Sequence, residues 1–156
     1  KLICTNYDTS SDFCGTVYKI RHDSLNNKET FIKVLSGRFQ VKDTITHNIK
    51  GNIVEEKINQ IRIYKGNQFT TKNYLNAGEL GAIIGINSSY IGEGLGNYGD
   101  FNNFLLIPTL KSKVLFNDSI NPKEILKIFN ILTSEDPAIN AVWVKELNEV
   151  HINVMG

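Results

Sequence analysis

The chain predicts a small antiparallel β-barrel followed by a partial, ferredoxin-like α+β domain. Three observations carry this expectation. Short β-branched and apolar runs separated by turn residues fill the first part, residues 92–103 hold four glycines and three asparagines without apolar periodicity, and one capped helical segment with an alternating tail follows. The expected division is a barrel over residues 1–95, a linker over 96–103, and a truncated α+β domain over 104–156.

Residues 13–20 alternate around Val17, Tyr18 and Ile20, the 22–28 stretch with its Asp-Ser-Leu-Asn-Asn run is turn chemistry, and residues 30–35 are β-branched and apolar until Ser36 and Gly37 break them. Further strands are expected at 39–41, 44–49, 57–64 and 80–86, spaced by Asp43, Gly51, Gly66 and Gly78. Strands this short and evenly spaced favour closure, which removes exposed edges, so about six or more strands should form a barrel whose interior is filled by side chains.

Residues 104–116 read as a strand interrupted at Pro108. In the helix that follows, Asn121 is the cap, Pro122 suits the first position, Glu124 lies in the first turn, and Ile125, Ile128, Phe129 and Leu132 share a face until Pro137 prevents continuation. Residues 141–154 read as a hairpin with Val142 and Val144 facing the same way as Val150, Ile152 and Val154. The order β-α-β-β is the first part of a ferredoxin-like sandwich. A start at Lys1 rather than Met, and a stop at Gly156, lead us to expect a piece of a longer protein.

With 41% hydrophobic and 21% charged residues in 156, the composition is that of an ordinary globular protein. Residues 1–100 carry 12 basic and 10 acidic side chains and the remainder 5 and 6, so neither part is a polycation that would grip free nucleic acid by charge. A local patch for a large structured RNA is compatible with these numbers. No run of about 18 apolar residues is available to span a bilayer. Cys4 and Cys14 have no companions at metal-ligand spacing and read as thiols in a reducing cytoplasm.

Gly94, Gly96 and Gly99 match GxGxxG, but a strand and not a helix is expected after them, so they read as flexible linker instead of a dinucleotide turn. No GxxxxGK[ST] phosphate loop occurs, so this chain is expected to have no GTP-hydrolysing activity, no cofactor and no metal of its own. His22, His47 and His151 stand apart in the sequence and read as surface or strand-end residues, and the pairs Glu55-Glu56 and Glu135-Asp136 read as solvated surface. The basic residues Lys19, Arg21, Lys33, Arg38 and Lys42 are either ordinary outward charges of a half-buried sheet or a phosphate-facing stripe, if the barrel gathers their strands.

The block Phe13-Cys14-Gly15-Thr16-Val17-Tyr18-Lys19-Ile20, then Phe31-Ile32-Lys33-Val34-Leu35-Ser36-Gly37 and Ala77-Gly78-Glu79-Leu80-Gly81-Ala82-Ile83-Ile84-Gly85-Ile86, resembles domain II of elongation factor G and its relatives. Glu135-Asp136-Pro137 and the end His151-Ile152-Asn153-Val154-Met155-Gly156 are similar to elements of the same factor's domain III. The Cys14-Gly15 pair is more like the tetracycline resistance proteins of the ribosomal protection type.

The resemblance implies a translation-factor barrel with structural turns at Gly37, Gly78 and Gly85, and a cytoplasmic protein without membrane contact. Its implied partners are the ribosome, through small-subunit RNA and protein, and a GTPase domain elsewhere in the same chain that would hold GTP and magnesium. Arg38 and Lys42, which flank the Ser36-Gly37 turn, are the foremost candidates for RNA contact, with Lys19, Arg21 and Lys33 beside them. An elongation factor G-like translocase is the alternative within this family. A small-molecule-binding β-barrel is the alternative outside it and requires an open, ligand-sized interior.

Overall fold

The computed structural model describes residues 7–49, 52–97, 99–100, 108, 110–117 and 119–154. The chain divides into two compact units, Lys1–Asn103 and Phe104–Gly156. It is mostly β, with a single helix among the described residues.

The first unit contains β1 (Cys14–His22), β2 (Lys28–Ser36), β3 (Arg38–Gln40), β4 (Thr44–Ile49), β5 (Asn52–Lys57), β6 (Gln60–Lys65), β7 (Gln68–Lys72), β8 (Tyr74–Asn76), β9 (Leu80–Ile84) and β10 (Gly94–Gly96). Six of them form an antiparallel sheet in the order β10-β1-β2-β9-β6-β7, and two antiparallel ribbons, β3-β8 and β4-β5, complete the unit. Val17, Ile20, Ile32, Val34, Ile61, Ile83 and Leu95 from the sheet pack with Phe39, Ile45 and Leu75 from the ribbons in one apolar cluster. Each buried side chain of this size contributes about 1.5–3 kcal/mol, so this shared cluster is what holds the ribbons to the sheet.

Several sequence expectations change here. The strand expected at 57–64 is interrupted at the buried Ile58, whose N–H is turned to the Asp43 carbonyl (2.9 Å), so β5 ends there and β6 begins at Gln60. The expected linker at Gly94 and Gly96 is instead the edge strand β10, paired with β1 from Cys14↔Gly96 to Thr16↔Gly94, with Leu95 fully buried between the two glycines. A single apolar residue flanked by glycines has no periodicity to read, yet it is enough to plug a core. The short β8 and the polar, largely exposed β7 also lack a hydrophobic pattern.

Gly37, Gly78 and Gly85 adopt φ of 68°, 87° and 116°. At Gly37 a Cβ would lie 2.6 Å from the Ser11 carbonyl oxygen and 2.7 Å from the Phe13 nitrogen, because its own N–H is held by the Asp8 carbonyl at 2.7 Å. A Cβ at Gly85 would collide with the Lys57 carbonyl oxygen.

The second unit contains β11 (Leu110–Lys113), α1 (Pro122–Glu135), β12 (Val142–Val144) and β13 (Glu149–Val154), with sheet order β11-β13-β12. The helix between β11 and β12, and the later β13 paired between them, make a split β-α-β unit. The strand expected at 104–116 is described only in part, since residues 104–107 and 109 lie outside the described residues, as do Cys4, Met155 and Gly156.

Asn121 caps α1 by accepting the Lys123 N–H at 3.0 Å, Pro122 opens the helix, and the Asp136 N–H closes it on Leu132. Ile125 is buried and Phe129 half-buried, whereas Ile128 and Leu132 are exposed, so the buried stripe is narrower than the apolar face. The hairpin register pairs Trp143 with Val150 and Val142 with His151. Val142 therefore shares a face with His151 and not with the buried Val150, contrary to the alternation expected from the sequence. Register is fixed by the turn, where Asn148 takes φ of 54°, and one residue of slip exchanges the faces.

Candidate nucleic-acid interface

The outer face of the six-stranded sheet gathers the first set of candidate residues. In β1 the register runs Val17↔Ile32 and then Lys19↔Phe31, so Tyr18 is the extra residue of a β-bulge. The bulge turns both Tyr18 and Lys19 outward while Val17 and Ile20 stay in the core. Across the sheet Phe31 stands opposite Ala82, Ala82 opposite Arg62, and Tyr64 opposite Phe69.

The rings form a ladder: Tyr18 to Phe31 at 6.2 Å, Phe31 to Tyr64 at 5.6 Å and Tyr64 to Phe69 at 5.5 Å between centroids. Cations lie over it. Lys19 Nζ is 5.7 Å from the Phe31 centroid, the Arg21 guanidinium is 5.4 Å from Phe31 and 4.7 Å from Tyr64, and Arg62 is 4.5 Å from Phe69.

Glu29, on the same face but fully buried, fixes the two arginines. Its Oε2 accepts from Arg21 Nε (2.9 Å) and Nη2 (2.6 Å), and its Oε1 accepts from Arg62 Nη1 (2.7 Å) and from the Tyr64 hydroxyl. Burial by itself pushes the Glu29 carboxyl up, but the hydrogen bonds from Tyr64, Arg21 and Arg62 outweigh it and hold the group below its ordinary value. Arg62 Nη1 also donates to Asp23 Oδ2 at 3.0 Å, and Asp23 is held low chiefly by the Asn27 backbone and side-chain N–H groups.

A second set surrounds two tyrosines. Tyr74 lies between the Arg38 guanidinium (5.2 Å) and Lys72 Nζ (5.3 Å), and Lys33 Nζ stands 5.4 Å from the Tyr7 centroid. Lys72 is tied to Glu79 Oε1 at 2.6 Å. Lys42 is exposed, in a turn with φ of 80° where its N–H donates to the Ile58 carbonyl at 2.9 Å. Of the five predicted basic residues, Lys19 and Arg21 thus belong to the ring ladder, Lys33 and Arg38 to the tyrosine set, and Lys42 to a turn. Arg62, Lys72 and the rings themselves carry no sequence signal beyond the type of residue, because only the sheet order brings them together.

His47 departs from its surface reading. It is buried, with Nδ1 2.7 Å from Glu93 Oε1 and Nε2 3.4 Å from Glu56 Oε2. Glu56 in turn accepts the N–H groups of Asn87 (3.0 Å) and Ser88 (2.9 Å). The cluster joins the β4-β5 ribbon to the loop before β10. Among the described residues no group of three or more His, Cys, Asp or Glu is arranged to hold a metal ion. No helix there is long and apolar enough to cross a membrane.

No protein-family model matches the chain. Tetracycline resistance protein TetP of Clostridium perfringens is 26% identical over 151 residues, which is 96% of this chain and 23% of that protein. Elongation factor G of Fervidobacterium nodosum is 22% identical over 94% of the chain and 22% of its own length. Elongation factor G 2 of Desulfotalea psychrophila is 32% identical over 88 residues, 56% of the chain and 12% of that protein. A crystal structure of a Thermus thermophilus protein superposes with a TM-score of 0.72 at 15% identity, covering 94% of this chain and 22% of that one. The chain thus spans less than a quarter of the length of the curated relatives it matches. Over nearly all of its own length, it is homologous to one segment of the elongation factor G superfamily, the group its sequence resembles.

Proposed function

We propose that the chain is the ribosome-docking part of a translational GTPase of the ribosomal protection type, one that releases tetracycline from the ribosome at the expense of GTP. The observation that carries this reading is the match to TetP across 96% of the chain. In this reading the first unit is a translation-factor barrel of the domain II type. The second is the opening part of a ferredoxin-like domain III, consistent with its split β-α-β order. GTP and magnesium belong to a GTPase domain elsewhere in the longer protein, and this chain, without a phosphate loop, contributes contact and not hydrolysis. The partner is small-subunit RNA and protein, in the cytoplasm. The apolar cluster shared by sheet and ribbons supports a filled barrel over a small-molecule carrier.

The similarity to elongation factor G 2, 32% over 88 residues, favours a second reading as part of a translocase. Expressing the full-length protein in a tetracycline-sensitive bacterium separates the two. Protection type predicts growth at otherwise inhibitory tetracycline and GTP-dependent loss of the drug from isolated ribosomes. A protein that gives neither, but sustains translocation in a factor-depleted translation mixture, contradicts it.

A further inference from the structure

After β10 the chain turns back and one carboxylate grips the strand it has just left. β10 is the outer strand of its sheet, and the Gly94 N–H donates to Asp100 Oδ1 at 3.0 Å. The other oxygen, Asp100 Oδ2, accepts from the Tyr90 hydroxyl. Tyr90 belongs to the turn before β10, where the Gly92 N–H donates to the Val17 carbonyl at 2.9 Å and the Glu93 N–H to the Tyr90 carbonyl at 3.2 Å. The reversal depends on Gly96, whose φ is 69° and where a Cβ would collide with the Phe13 carbonyl oxygen. A Cβ at Gly99 would meet open space, so the three glycines of the GxGxxG match have different duties.

We infer that Asp100 is a releasable pin that fixes where the chain leaves the first unit, its carboxylate bridging Tyr90 and Gly94. The compact units divide between Asn103 and Phe104. With the pin closed, residues 101–103 connect it to the second unit and span at most about 10 Å; with the pin open, the connection starts after Gly96 and residues 97–103 reach about 25 Å. Asp100 is exposed, so water competes for both bonds and the pin opens without disturbing the apolar cluster. Burial, the hydrogen bond to Asp100 and the charges of Asp100 and Glu93 push the Tyr90 hydroxyl up to about 12, so it remains a donor at neutral pH. The length of the connection sets how far the second unit can range, and hence its effective concentration at any site the first unit engages. This device is independent of the surface on which the chain docks.

Backbone amide exchange and nitrogen-15 relaxation of the whole chain test it, with the Gly92 amide, bonded to β1, as internal reference. Asp100→Ala is expected to speed exchange at Gly94 about tenfold while leaving Gly92 within twofold of wild type. The Gly99 amide order parameter should fall below about 0.6 in the same variant. Tyr90→Phe, which keeps the Gly94 bond and loses the phenol, should lie between the two. Gly94 exchange or Gly99 order equal in wild type and Asp100→Ala would overturn the pin. Equal acceleration at Gly92 and Gly94 would overturn it too, because Asp100 would then be needed for the sheet itself. Neither result bears on binding to ribosomes.

Discussion

Glu29 faces outward from β2 and is nevertheless fully covered, because Arg21 lies directly across from it in β1 and Arg62 and Tyr64 reach it over β9. A buried carboxylate so placed is costly to unpair. Glu29→Gln removes the charge that faces Arg21 and leaves Arg62 with Asp23 alone, and a loss of about 3 kcal/mol in unfolding free energy is expected from urea titration. The sign of its pH dependence follows from the carboxyl being held below its ordinary value: its contribution is complete above the ordinary glutamate range and is lost as pH falls through the folded value. Wild type should lose stability on acidification more steeply than Glu29→Gln. The variant keeps some slope, since Asp8, Asp23 and Glu79 are also held low. None of this network is legible in the sequence. Glu29 and Arg62 are 33 positions apart, and only the order β2-β9-β6 makes them neighbours. The burial of His47 is hidden for the same reason, as Glu93 lies 46 positions away.

Elements with strong local signals are readable from the residues alone. The β-branched run of β2 and the Asn121-Pro122 start of α1 are fixed by steric and capping preferences that need no partner. Elements defined by a partner are not. β10 is three residues long and exists because Leu95 fills the core, the hairpin faces follow the turn at Asn148, and the bulge at Tyr18 follows the need to bury both Val17 and Ile20. Gly37 is a position where the sequence and the fold agree closely. Its left-handed backbone alone makes Gly37→Ala cost about 1–3 kcal/mol, and the contact with the Ser11 carbonyl adds to it. The denaturant midpoint should fall accordingly. A midpoint equal to wild type would contradict both the left-handed turn at Gly37 and its packing against the 8–13 segment.

For the whole molecule, composition indicates the class of protein and the resemblance indicates the relatives, but neither can assemble a surface. The +1 formal net charge conceals a division of labour: arginines locked over rings by Glu29, and cations outside that network such as Arg38, beside Tyr74 in β3, and Lys42, in a turn. If docking on ribosomal RNA is the task, the second kind should carry the salt dependence. The decisive quantity is the affinity of the chain for small ribosomal subunits as salt is raised, for wild type and for the Arg38→Ala/Lys42→Ala double variant. The logarithm of the binding constant should fall linearly with the logarithm of salt concentration, with weaker affinity in the double variant and a slope shallower by about one per charge removed. No binding at low salt, or an affinity indifferent to both salt and these substitutions, would show that docking on RNA is not what this chain does.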